Sequence, residues 1–203
     1  MNVFEEALIR YFGERGLYKI QSTVVGIAGL GGLGSNCAVC LVRSGFRKFI
    51  LADFDKVEYS NLNRQFYFLD QVSLYKTDCL KTNLLRINPD MDITLVTKRI
   101  SEDNAAAIFA NCGVVVEAFD KAEYKCFMAK VFLGSEKLFI SASGLAGWGN
   151  SDALRTRKIK DKCFLIGDSC SEATGSLPPC APRVAIAAAK EADVILSWVL
   201  EQK

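Results

Sequence analysis

Apolar residues recur at helical spacing near the start of the chain, where Phe4, Leu8, Tyr11 and Phe12 share a face. This predicts one or two amphipathic helical turns over residues 2–18, within an N-terminal helical arm at 1–20. A continuous apolar run at 23–28 predicts a buried strand, residues 33–44 the helix after it, and 48–52 the next strand, together a βαβ unit. Residues 76–86 keep helical spacing and stop at Asn88-Pro89, where proline restricts its predecessor to extended backbone. A third strand is expected at 92–97, a short helix at 103–110, a fourth strand at 113–118, a helix at 121–133 and a fifth strand at 137–141.

After Gly144 the alternation gives way to two strand-like runs, 153–158 and 162–166, expected to pair antiparallel at one edge of the sheet. Residues 167–182 hold three prolines, two glycines and two cysteines and read as a flexible surface loop, and 183–200 as a periodic closing helix. Strands alternating with helices imply an α/β fold, a Rossmann-like, doubly wound, mostly parallel sheet with an antiparallel edge extension. With 203 residues, half of them hydrophobic, one domain spanning 1–203 is expected.

Charge narrows the partners. The chain carries 25 Lys and Arg against 23 Asp and Glu, interspersed, which disfavours nucleic acid and anionic membrane and leaves room for an acidic protein partner. No apolar run is long enough to span a bilayer and Met1-Asn-Val-Phe-Glu-Glu6 lacks the basic start of a secretory signal, so a cytoplasmic location is expected. Eight cysteines lie scattered in apolar contexts and read as reduced thiols. The chain contains no histidine, which excludes imidazole bases, imidazole metal ligands and His-based triads.

Candidate chemistry begins where the first strand should end. Gly29, Gly31, Gly32 and Gly34 form a glycine turn opening a helix, whose bare N–H groups receive phosphate. Asp53 follows about 20 residues on, at the distance of a ribose-binding acid. Asp55 has a turn or capping role as its competing explanation. Asn61, Arg64 and Gln65 belong to a loop or short helix; Arg64 offers a fork for two phosphate oxygens and Lys76, at a helix start, a point charge. Taken singly, each base is a solvated surface residue; after a phosphate turn they form a charge clamp. Asp120, at the end of the fourth strand, suits magnesium beside a triphosphate, or caps the following helix. Cys37-Ala-Val-Cys40 lies within the first helix and reads as two buried thiols, with no second pair at zinc spacing.

Gly29-Leu-Gly-Gly-Leu-Gly-Ser-Asn36, Asp53-Phe-Asp55, Ser60-Asn-Leu-Asn-Arg-Gln65, Lys76 and Asp120 together resemble the ThiF/MoeB/HesA superfamily, adenylating enzymes related to ubiquitin-activating enzyme. The resemblance covers residues 22–147, and Ala181-Pro-Arg183 with the closing helix is similar to a short ThiF-like subfamily. It implies an enzyme that binds ATP and Mg2+ and adenylates the C-terminal Gly-Gly carboxylate of a small β-grasp sulfur carrier, ThiS-like, for thiamine thiazole synthesis. On this resemblance Asp53 holds the ribose, Asn61, Arg64 and Lys76 contact phosphates, and Asp120 binds magnesium. It also implies a homodimer in which Arg10, or alternatively Arg15, reaches the partner's site. Relatives' paired C-x-x-C motifs are missing, so zinc is not expected; Lys121 stands where Asn often follows the metal acid; and Cys163, Cys170 and Cys180 remain candidates for sulfur transfer without a mark to choose among them. Two other functions fit parts of the pattern: a nicotinamide-dependent oxidoreductase using the glycine turn, and a non-catalytic carrier-binding scaffold. The superfamily also adenylates a tRNA nucleoside in one branch.

Overall fold

A computed structural model describes residues 2–202; Met1 and Lys203, the ends of the expected arm and domain, lie outside the described residues. Helix α1 (Val3–Ser22) leads into β1 (Val24–Ala28), α2 (Gly32–Arg43) and β2 (Lys48–Ala52). A long connection reaches α3 (Lys76–Leu85) and β3 (Asp92–Val96), followed by α4 (Glu102–Ile108), β4 (Val114–Glu117), α5 (Ala122–Phe132) and β5 (Leu138–Ala142). The chain closes with β6 (Arg155–Lys160), β7 (Cys163–Gly167) and α6 (Ala181–Glu201).

The seven strands form one sheet in the order β3-β2-β1-β4-β5-β7-β6, parallel except for the β6–β7 pair. From β1 the chain winds outward through β2 to β3, then returns to lay β4 on the other side of β1. The strand order therefore reverses between β1 and β4, and the crevice at their carboxyl ends is where such sheets bind ligands. Strands β1 and β4 sit buried on both faces, which explains their near-continuous apolar sequences. One face packs Leu41, Ala187, Ala188 and Ile195 of α2 and α6 over Ile27, Val114 and Val116, and the other packs Phe109, Met128 and Phe132 over Val115 and Phe139.

Several boundaries differ from expectation for local reasons. Helix α1 extends to Ser22 as two helical segments joined at Gly13, whose backbone (φ +66°) is not helical; the Asn2 side chain caps the first at Glu5 N, and Leu8, Leu17 and Ile20 bury the inner face of the pair. Helix α6 begins two residues earlier than periodicity suggests, since Pro182 is tolerated in a first helical turn, where its missing N–H has no partner to lose. The α5 N-cap is Lys121, so Asp120 stands just outside the helix and is not its cap. Residues Ser151–Ala153 form a 3-10 turn, which delays β6 to Arg155.

Among the described residues the core holds a carboxylate with no partner. Glu191 on α6 is fully buried, and neither carboxyl oxygen has a hydrogen bond among the described residues. Burial pushes its pKa well up, with nearby Glu117 adding to the rise and Lys125 opposing it. Burial likewise raises the thiol of Cys37 on α2, and Glu191 adds to that rise. Ionisation is thus harder in the folded state than in the unfolded chain, where the acid charges above a pH of about 4.3, so stability falls as pH rises beyond that value. Glu191→Met is expected to raise stability by roughly 1–3 kcal/mol at neutral pH and to flatten this dependence, as read by urea denaturation across a pH series. Equal slopes for variant and parent would show that Glu191 titrates normally.

Candidate functional site

At the end of β1 the backbone turns through Gly29 in a left-handed conformation (φ +91°), where a Cβ would lie 2.9 Å from the Ala118 carbonyl oxygen of the neighbouring connection. Gly34, in the first turn of α2, packs so closely that a Cβ would meet the Gly29 carbonyl oxygen at 2.0 Å. Between them Gly31 is the N-cap of α2, makes no side-chain cap, and would meet nothing closer than Gln65 Nε2 at 3.8 Å. The two outer glycines hold strand against helix, while the N-terminus of α2 keeps its first N–H groups free and its side open to the crevice. Unpaired N–H groups at a helix start attract an anion. Gly34→Ala is expected to destabilise the fold by roughly 1–3 kcal/mol, seen as a lower Tm, because the carbonyl of Gly29 must shift. An unchanged Tm would mean that the turn relaxes freely.

Asp53, one residue past β2, lies beneath this turn at 8% exposure. Its Oδ2 accepts the Leu30 N–H at 2.7 Å and its Oδ1 the Asp55 N–H at 2.8 Å, while the buried Tyr67 hydroxyl donates to the Leu30 carbonyl at 2.8 Å. Asp53 therefore fixes the turn itself, and each oxygen retains a second lone pair for an incoming hydroxyl. Burial raises its pKa, opposed by the charge of Lys76 and by the two N–H donors. Lys76 opens α3 with its stem buried, its backbone N–H bound to the Asp55 carbonyl and its Nζ 3.2 Å from Asp55 Oδ2. Asp55, whose side chain is half exposed, thus positions the lysine; its place follows from the strand ending at Ala52.

The connection between β2 and α3 folds back over α2. Asn36 Nδ2 donates to the carbonyls of Gly32 (2.6 Å) and Arg64 (2.8 Å), and Ser35 Oγ accepts the Phe66 N–H at 3.0 Å. Arg64 lies with its Cγ 3.5 Å from where a Cβ of Gly32 would stand, beside the open helix terminus. Its Nη1 is held by the Ser60 carbonyl and Asn63 Oδ1, which leaves Nη2 and Nε without a partner among the described residues. Asn61 is buried and accepts the Glu58 N–H, so its amide holds the loop turn, with only a 3.5 Å contact on its Nδ2.

Asp120 is exposed at the end of the β4 connection, two residues from the Ala118 carbonyl that abuts Gly29, and has no hydrogen-bond or ion-pair partner among the described residues. Behind it, Glu117 is fully buried and accepts the Phe119 N–H, the Lys125 ammonium and the Ser141 hydroxyl. This network fixes the loop that presents Asp120. No group of three or more Cys, Asp or Glu side chains converges among the described residues. A magnesium ion held by phosphate oxygens, water and one carboxylate needs no such cluster, and an open carboxylate at the crevice fits that chemistry.

Other expected residues lie elsewhere. Arg10 and Arg15 are exposed on α1, whose Asn2 bonds Asn88 and Asp90 and whose Leu8 and Leu17 pack on Gly45, all at the amino-terminal edge of the sheet. Neither can reach the glycine turn of its own chain. Cys163 is buried in β7 and Cys180 is the N-cap of α6, whereas Cys170 is exposed with its thiol donating to Asp168 Oδ1, a bond that raises its pKa. Among the described residues no helix is long and apolar enough to cross a membrane.

One element of the site escaped the sequence pattern. Arg183, in the first turn of α6, is 5% exposed and donates from Nη2 to Asp168 Oδ2 at 2.6 Å and from Nη1 to the carbonyls of Gly149 and Asn150. Asp168 Oδ1 also accepts the N–H groups of Cys170 and Ser171. This pair ties the 167–182 segment and the loop after β5 to the helix whose Val184 touches the glycine turn; a Cβ on Gly32 would lie 2.9 Å from Val184 Cγ1. The available signal was a cation in a helical first turn devoid of acids, which opposes the helix dipole and so implies a specific partner.

A model described as "ThiF family" matches residues 5–196. The chain is 32% identical over 136 residues to a tRNA threonylcarbamoyladenosine dehydratase of Bacillus subtilis, covering 66% of this chain and 54% of that protein. It is 29% identical over 197 residues to the adenylyltransferase and sulfurtransferase UBA4 of Kluyveromyces lactis, covering 92% of this chain and 44% of that one. The chain thus spans about half the length of these curated relatives. Among solved structures, the Escherichia coli tRNA N6-threonylcarbamoyladenosine dehydratase in complex with AMP superposes with a TM-score of 0.86 at 19% identity, covering 96% of this chain and 93% of that one. At that identity the likeness establishes a shared fold.

Proposed function

Since the chain belongs to the ThiF family, we propose that it is an ATP-dependent adenylyltransferase acting on the C-terminal Gly-Gly carboxylate of a small ThiS-like sulfur carrier, in the route to the thiamine thiazole. The observation that carries this reading is Lys76, a buried-stem ammonium held by Asp55 beside the same glycine turn against which Arg64 packs. A cofactor-holding oxidoreductase leaves that clamp without work.

In this reading the N–H groups of Gly31 to Leu33 receive a phosphate of ATP and Asp53 takes the ribose hydroxyls. Arg64, Lys76 and the Asn61 amide nitrogen, whose one contact is the 3.5 Å one to Ser60 Oγ, face the outer phosphates. Asp120 holds Mg2+, which when bound neutralises phosphate charge. A carboxylate oxygen of the carrier bonds to the α-phosphorus while the bond from that phosphorus to the oxygen bridging to the β-phosphate breaks, and pyrophosphate leaves. The nucleophile is already ionised near neutral pH, so the chain needs no general base and no histidine; alignment and charge placement suffice. Arg10 of a second copy is the residue of this chain suited to add charge from across a dimer contact.

The test is ATP–pyrophosphate exchange dependent on a ThiS-like carrier, with the acyl-AMP adduct read by intact mass. ATP should raise the Tm and NAD should not. Exchange that proceeds with a tRNA and never with a carrier would assign the chain to the chemistry named for its Bacillus relative. Carrier binding without turnover of ATP would leave a scaffold.

A further inference from the structure

The positive charge of this chain is not evenly spread. Residues 155–162, Arg-Thr-Arg-Lys-Ile-Lys-Asp-Lys, hold five of the 25 Lys and Arg and one of the 23 Asp and Glu, so the rest of the chain is slightly acidic. Acids on either side balance it in the linear sequence; folding places its first six residues, four of them bases, on β6. This strand is the outermost of the sheet, pairs only with β7, and has no strand on its other edge among the described residues. All its residues except the half-buried Arg157 are exposed, including Ile159 at 54%, where the ladder shifts register between Lys158 and Lys160. Lys158 is paired with Asp161 and Lys162 with Glu136, which leaves Arg155, Arg157 and Lys160 without a carboxylate among the described residues, Arg157 donating to the Ser169 hydroxyl instead.

An open strand edge offers main-chain donors and acceptors to another strand, with side-chain chemistry selecting which one. Six residues span about 20 Å, too short a stripe for the six to ten phosphate contacts of a tight nucleic-acid footprint, and no aromatic ring interleaves the bases. Position adds the link to the site. Arg155 pairs with Gly167 at the carboxyl end of β7, so the antiparallel strand begins on the edge of the sheet that carries the glycine turn.

Resting on the adenylation reading, we propose that the outer edge of β6 docks an acidic strand of the protein substrate, whose tail then runs along the carboxyl edge of the sheet to the Gly31 turn. A strand added outside β6 lies five strand spacings from β1, about 24 Å, and an extended tail of about seven residues covers that distance. The substrate class is therefore a small protein with acidic residues on an accessible strand and at least that length of extended C-terminal tail.

The test compares wild type with the triple variant Arg155→Glu, Arg157→Glu, Lys160→Glu, using a ThiS-like carrier as probe. The KM for carrier should rise by at least about tenfold and lose its salt dependence, with kcat and the KM for ATP unchanged. Removing three residues from the carrier tail should stop exchange and leave carrier capture intact. If the triple variant fails to match the parent Tm, Arg155→Glu with Lys160→Glu, both at exposed positions, carries the comparison. An unchanged KM overturns the proposal, whether the variant self-associates, which would make the charges a guard against edge pairing, or loses binding to an RNA duplex, which would assign the strand to nucleic acid. Carrier capture that is lost in the variant, in a wild type showing no exchange, supports the docking strand and counts only against adenylation. A wild type that neither captures nor adenylates the carrier overturns both.

Discussion

Replacing Lys76 with methionine is expected to remove carrier-dependent ATP–pyrophosphate exchange by roughly 10²–10³-fold or more, the scale seen when one preorganised charge donor is lost from a site. The side chain's stem is buried and apolar, so methionine fills the same space and the chain should still fold, with the Tm lowered at neutral pH only by the lost offset to Asp53 burial. What disappears is the ammonium that faces Asp55 and that opposes the burial-driven rise in the Asp53 pKa. Asp53 should then titrate higher still. Its folded pKa is already raised, so the stability it contributes is present at low pH and is lost as pH rises through the folded value; without Lys76 that loss moves to higher pH. Lys76→Arg should recover part of the exchange, because charge is kept and geometry is not. Full exchange in Lys76→Met would remove the lysine from the reaction.

Replacing Arg183 with methionine should have the largest effect on stability. The substitution leaves the Asp168 carboxylate at 10% side-chain exposure without its cation and strips two carbonyls, Gly149 and Asn150, of their donor. Breaking a buried pair from one side costs about 3–5 kcal/mol, which in a chain of this size lowers the Tm by on the order of 10 °C. Burial pushes the Asp168 carboxyl up, but the donors of Ser171 and Cys170 outweigh it and hold the group well below the ordinary carboxylate range. Its stabilising contribution is accordingly present above a pH of about 4 and lost as acid protonates it. The double variant Asp168→Asn, Arg183→Met should recover stability relative to Arg183→Met alone, because no unpaired charge remains. Calorimetry of the three variants decides it; a double variant no better than the single would locate the loss in the carbonyl contacts.

The parts of the site legible in the sequence are those whose chemistry is local. Gly29, Gly31 and Gly34 announce themselves because a strand followed at once by a helix permits few backbone paths, and Asp53 because the next parallel strand must end beside the first. Asn61 and Arg64 were visible as a motif, yet their working contacts were not. Asn61 Oδ1 is already engaged by the Glu58 N–H, and Arg64 is steered by Ser60 and Asn63.

By itself the sequence determined the βαβ alternation, the antiparallel close of the sheet and the position of the glycine turn, because period, strand length and glycine placement act over a few residues. Only tertiary structure decided that Asp55 restrains Lys76, that Glu117 shapes the loop bearing Asp120, that Asp168 and Arg183 fasten the closing helix, and that the four bases of β6 lie on an open strand edge. Charges interact through space over a few ångströms whatever their separation along the chain, and burial sets how strongly. Pairs 15 to 21 residues apart, such as Asp168 with Arg183 and Asp55 with Lys76, leave no periodic trace for a sequence to show.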